Sequence, residues 1–112
     1  MKESVYKKMN FRMTTELKDK DFLISIAGNL DTKTCQAAER KIDNALLPAK
    51  NNIDQIIFDV KDLLYISSLG LRIFFKFAKL YPDSVKIINV PEDIMSIFKM
   101  TGIDKTMNVT PA

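Results

Sequence analysis

Ser67 and Ser68 stand side by side in "YISSLGLR", after an apolar run and just before Gly70. A serine at a helix N-terminus can serve in two ways. Its side-chain oxygen can accept a hydrogen bond from an orphan N–H of the first turn, capping the helix. It can also carry a phosphate, because unpaired backbone N–H groups and the helix dipole stabilise a dianion there. One cap uses one oxygen, and two are present; which serine caps and which is free stays open in the sequence. Phosphorylation would add about −1.5 to −2 charges and change the local surface without unfolding the helix. Gly70, lacking a Cβ, either leaves room for a visiting backbone or nucleotide or lets the helix pack closely on a sheet.

Other chemistries find little support. The chain has no histidine, so the commonest general base and metal ligand are missing. No Gly-rich phosphate loop or paired-carboxylate spacing replaces it, so no enzyme activity, metal or cofactor is expected. Cys35 is the single cysteine and sits in a helical pattern, where a thiol reads as a small buried hydrophobe rather than a nucleophile. With no internal disulfide possible, a reducing compartment is expected. The net charge is +3 and the lysines are scattered in small groups such as Lys7–Lys8, a solvated surface rather than a nucleic-acid footprint. The N-terminal "MKESVYKKMNF" has no long apolar core. No apolar stretch approaches the roughly 18–20 residues of a membrane span, so a cytoplasmic protein without membrane contact is expected.

The elements that must position the serines follow from patterning. At 112 residues with 46% apolar side chains, the chain suits one domain with one core. Residues 1–8 read as a loose extension and 9–112 as the domain. "MNFRMTT" (9–15) alternates weakly, "KDKD" turns, and "FLISIAG" (Phe22–Gly28) alternates cleanly, so the pair suggests an antiparallel hairpin. A helix follows, with Asp31 or Thr32 as its cap and Cys35, Ala38, Ile42, Ala45 and Leu46 on its inner side, stopping at Pro48. "QIIFDV" (Gln55–Val60) has the near-continuous apolar composition of a strand inside a partly parallel sheet.

The serines then open a helix running to Leu80 before Pro82, and "VKIINV" (Val85–Val90) forms a third core strand. Pro91 suits the first position of the next helix, whose inner face would be Ile94, Ile97, Phe98 and Thr101. Gly102 stops it, and "MNV" offers a last edge strand. The order ββαβαβα(β) predicts an α/β fold, a mixed β-sheet of about four or five strands with one face more open than in larger doubly wound folds. The serines therefore fall at the carboxyl ends of the strands, where such folds place their working surface.

The serine helix carries a second clue. Arg72, Lys76 and Lys79 occupy a sector only about 60° wide, and apolar side chains fill the rest. That exceeds the roughly 100° stripe one sheet requires. Either the helix is sandwiched between elements, or Leu69, Phe75 and Leu80 at the borders are kept for a partner.

Taken in order, three segments resemble the STAS-domain anti-sigma-factor antagonists over about residues 9–108. "AGNLD" is similar to the family's G-x-L-D after the second strand. "IIFDVKDLLYISSLGLRIFF" resembles its apolar strand, serine turn and helix, and "IMSIFKMTGIDKTMNV" its closing helix and tail. The resemblance implies a STAS-like fold and a switch without enzyme activity. In that family the unmodified protein binds a serine kinase that doubles as an anti-sigma factor, which frees the sigma factor. The kinase phosphorylates a serine at the start of the second main helix, and a serine phosphatase resets it.

By position the phosphoacceptor is Ser68. The partner face would hold Asp31, Ser67, Ser68, Leu69, Gly70, Arg72 and Phe75, with Asp31 close to the acceptor as in the family fold. Two positions depart from the common pattern: Ser67 stands where many relatives have Asp, and Leu69 where many have a small residue. The same resemblance admits a different role, a STAS module that binds a small ligand or nucleotide, or a transport or lipid-handling partner, without phosphorylation.

Overall fold

The computed structural model describes residues 11–49 and 51–112. The expected extension over 1–8, and the first two residues of the expected first strand, lie outside the described residues. Strand β1 (Phe11–Lys18) and strand β2 (Asp21–Leu30) form the expected antiparallel hairpin, with Lys18 opposite Asp21. Asp19 adopts the positive φ of 58° in this tight two-residue connection, a conformation Asp tolerates better than most residues.

Helix α1 (Cys35–Leu46) passes through a short 3₁₀ turn at Leu47–Ala49 and leads to strand β3 (Gln55–Ile66). Helix α2 (Ser68–Leu80), strand β4 (Val85–Val90), helix α3 (Glu92–Thr101), the one-turn helix α4 (Ile103–Thr106) and strand β5 (Asn108–Pro111) complete the chain. The sheet order is β1-β2-β3-β4-β5, with β1 antiparallel and the others parallel to their neighbours. This is the expected mixed α/β fold.

A sheet whose parallel strands advance in one direction puts every right-handed crossover on the same face. The aromatic contacts agree. Phe74 of α2 meets Phe58 of β3 edge-on at 4.7 Å and Phe98 of α3 at 5.6 Å. Each such pair contributes about 0.5–1.5 kcal/mol beyond the area it buries. Around it gather Phe22, Ile24 and Ile26 of β2, Ala38, Ile42 and Leu46 of α1, and Ile94 of α3. Ile57 is buried yet does not join this cluster, because alternation along β3 turns it to the other, more open face.

Four details differ from the sequence reading. Strand β3 runs six residues beyond Val60, because two bulges in its pairing with β2 replace the simple alternation. Pro91 is the cap of α3 rather than its first residue, with φ −61° and an extended ψ of 154°. Thr101 is exposed rather than inward, its hydroxyl donating to Ile97 O at 2.9 Å. The helical turn α4 follows Gly102, whose φ of 83° ends α3 as expected. Among the described residues no helix is long and apolar enough to cross a membrane.

Candidate functional site

Strands β2 and β3 end together, with Leu30 opposite Ile66. The Ser67 N–H donates to Leu30 O at 2.9 Å, carrying the sheet contact one residue past the strand. Ser67 is still extended (φ −94°, ψ 173°), and its Oγ accepts from the Gly70 N–H at 3.1 Å. Ser67 is therefore the cap, and α2 begins at Ser68.

A carboxylate at this position could accept the same bond, so Ser67 retains the capping function without the charge. Ser68 is exposed, and its hydroxyl makes no hydrogen bond among the described residues. Of the two adjacent hydroxyls one is structural and the other is free.

Gly70 differs from the expectation of a partner contact. It is buried, and a Cβ there would lie 2.5 Å from Leu30 O and 3.0 Å from side-chain atoms of Ile66 and Leu30. The missing side chain lets α2 approach the end of β2. It opens no space for a visitor.

Asp31 follows Leu30 and so lies on the turn next to the serines. The helix proper begins after Thr34, which makes no side-chain cap bond of its own. Of the two expected caps it is Asp31 that acts at the turn winding into α1: its Oδ1 accepts from the backbone N–H groups of Lys33 and Thr34 at 2.9 and 3.1 Å, and its carbonyl accepts from Cys35 N at 2.9 Å. The Thr34 hydroxyl accepts from Asp31 N at 3.0 Å and donates to Asn29 O at 2.7 Å. Asp31 thus caps the entry to α1, as the sequence allowed, and it shares no hydrogen bond with Ser68 among the described residues.

Helix α2 presents two separate outer bands. Ser68, Arg72, Phe75 and Lys79 recur at i, i+4, i+7 and i+11, a ridge about 60° wide. Leu69, Lys76 and Leu80 lie in a second band, beside α1. Leu69 and Phe75 are 37% and 36% exposed, but on opposite flanks, so they do not form one apolar border patch. The bulk of Leu69 points about 100° away from Ser68 around the helix.

Lys76 Nζ lies 2.6 Å from Glu39 Oε2 and 3.0 Å from Asp43 Oδ2, tying α2 to α1. Burial pulls the Lys76 pKa down. Hydrogen bonds and charge from Glu39 and Asp43 outweigh that and leave it above the ordinary 10.5.

Two further exposed apolar side chains, Leu64 and Tyr65, immediately precede the turn and were missed in the sequence. The signal was the loss of alternation after Val60. On the open sheet face Arg12, Ser25, Asp59 and Asp62 border a shallow pocket of about 180 Å³. Cys35 is half-buried, its Sγ near Thr32 O at 3.7 Å. Among the described residues no group of three acidic or thiol side chains could hold a metal ion.

These features set the chain among known proteins. The family model described as "STAS domain" matches residues 12–112. The anti-sigma-B factor antagonist of Bacillus subtilis (strain 168) is 26% identical over 105 residues, covering 91% of this chain and 93% of that protein. An anti-sigma factor antagonist from Mycobacterium paratuberculosis superposes with a TM-score of 0.79 at 19% identity, covering 91% of this chain and 86% of the other. The phosphorylated form of the Bacillus cell fate determinant SpoIIAA superposes with a TM-score of 0.64 at 17% identity, covering 88% of this chain and 89% of the other. With its β-sheet order, its serine turn and a match from Arg12 to the last residue, the chain belongs to the STAS domain family.

Proposed function

We propose that the protein is an anti-sigma-factor antagonist, switched off when Ser68 is phosphorylated by an anti-sigma factor that is also a serine kinase. The observation that carries this reading is the division of labour between the serines. Ser67 holds the cap, so Ser68 Oγ can change chemically without the helix losing its first-turn bond. The names of two relatives, both antagonists of anti-sigma factors, support the partner class.

The unmodified ridge of Ser68, Arg72 and Phe75 is the contact surface, joined by Leu69 on the flank beside α1. A phosphate dianion at its head would oppose docking through desolvation and repulsion of acidic groups on the partner. A serine phosphatase would restore the ridge. On this reading the protein works in the cytoplasm by binding alone, without catalysis, nucleic acid or membrane contact.

The test is incubation of the full chain with ATP and a small serine kinase encoded beside it. One phosphate should be added to the wild type and none to Ser68→Ala. Ser68→Asp should weaken kinase binding by tenfold or more, on the order of 1.4 kcal/mol. Equal binding by wild type, Ser68→Ala and Ser68→Asp would remove the switch.

A further inference from the structure

The side chain best placed to meet a phosphate on Ser68 is Arg72. It stands at i+4 on the same ridge, exposed, with no ion pair among the described residues. Residues so spaced have Cβ atoms roughly 6 Å apart, within the combined reach of a phosphoserine and a guanidinium. The neighbouring cation on α2 is already committed: Lys76 is held by Glu39 and Asp43. Lys79 lies eleven residues along, about 16 Å away by helical rise and beyond the roughly 8–10 Å reach of exposed charges in salt. On the adjoining turn, the Asp31 carboxylate is occupied by Lys33 N and Thr34 N, while the Lys33 side chain is itself an exposed cation.

We infer that phosphorylated Ser68 is clasped by Arg72 within the same helix, so that the modification withdraws from the partner face the cation one turn along from the acceptor. The inference rests on the assignment of Ser68 as acceptor and adds a second component to the off-state. Besides introducing negative charge, the mark occupies the guanidinium that an acidic partner group would otherwise meet. Arg72 is a positioning residue here, because a planar fork can take two phosphate oxygens at once.

Phosphoserine encoded genetically at position 68 of the full chain tests the clasp without any kinase. The phosphate's second ionisation is followed by ³¹P NMR in the wild type, Arg72→Gln, Arg72→Lys, Lys33→Gln and Lys79→Gln backgrounds. An exposed charge pair should hold that pKa down, so Arg72→Gln should raise it by about 0.2–0.7 unit. Arg72→Lys should restore part of the shift, and about 1 M salt should erase most of it. Lys79→Gln should leave the value unchanged, and Lys33→Gln should move it less than Arg72→Gln does.

An Arg72→Gln titration that overlays the wild type, or a larger shift from Lys33→Gln, overturns the clasp. A kinase that ignores Ser68 would instead overturn the proposed switch and leave this titration standing.

Discussion

The carbonyl oxygen of Leu30 lies 2.5 Å from the point where a Cβ on Gly70 would sit. That oxygen cannot retreat freely, because it also accepts from Ser67 N at 2.9 Å and closes the end of the sheet. In an ordinary helix interior, glycine to alanine gains roughly 1 kcal/mol from propensity. Here the sign reverses. Gly70→Ala should destabilise the fold by about 1–3 kcal/mol, the cost of overpacking a close contact. A urea midpoint equal to or above the wild type's would show that α2 can lift away from β2 without loss.

The two serines should separate cleanly in stability. Ser67→Ala removes the acceptor of the Gly70 N–H and should cost about 1 kcal/mol, within the range of 0.5–2 seen for caps. Ser67→Asp should keep most of that stability, since its carboxylate can accept the same bond beside the helix dipole. Ser68→Ala should fall within about 0.5 kcal/mol of the wild type, having no bond to lose among the described residues. Chemical denaturation of the three variants checks the order. A larger loss at Ser68 than at Ser67 would move the cap.

Lys76 predicts a pH dependence with a definite sign. Its pKa rises on folding from the ordinary 10.5, so the folded state binds this proton more tightly than the unfolded chain does. The stabilisation is therefore complete below the unfolded value and is lost as pH climbs through the folded one. The partners Glu39 and Asp43 are 43% and 48% exposed, so solvent screening holds the contribution to about 0.5–1 kcal/mol. Urea midpoints of wild type and Lys76→Gln should differ at about pH 9 and converge as the pH climbs above the ordinary lysine value of 10.5. A gap that persists or widens at the alkaline end contradicts the assignment.

Much of this architecture could be read from the sequence because local and long-range signals coincide. Val85–Val90 is a strand by composition and a strand in the sheet, with Pro91 marking where it ends. Gly102 stops α3 because it supplies a left-handed backbone that few other residues adopt. Asp31, one of two cap candidates, accepts from Lys33 N and Thr34 N at the entry to α1, as its short acidic side chain suits it to do. Readability failed where a contact across the sheet decides between local alternatives.

At the candidate site the exposed hydroxyl and the apolar surplus of α2 were both visible. Which serine capped was not, since that depends on Ser67 N reaching Leu30 O across the sheet. The separation of Leu69 from Phe75 depends likewise on how the helix is seated.

Strand β3 offers the sharpest test of that lesson. Strict alternation from Phe58 and Val60 would send Asp62 and Leu64 inward. The register with β2 instead slips twice, between Ser25 and Ala27 and again between Gly28 and Asn29. Buried positions therefore fall at Val60, Leu63 and Ile66, three apart, and Leu63 is 2% exposed while Leu64 is 73% exposed. Leu63→Ala should cost about 2–5 kcal/mol through a lost contact and a cavity. Leu64→Ala should change stability by no more than about 0.5 kcal/mol. Because the two residues are adjacent and chemically identical, their urea midpoints isolate the effect of the bulges. The opposite order would mean that β3 keeps its alternation to the end, and that the turn bearing Ser67 and Ser68 is rotated from the position described.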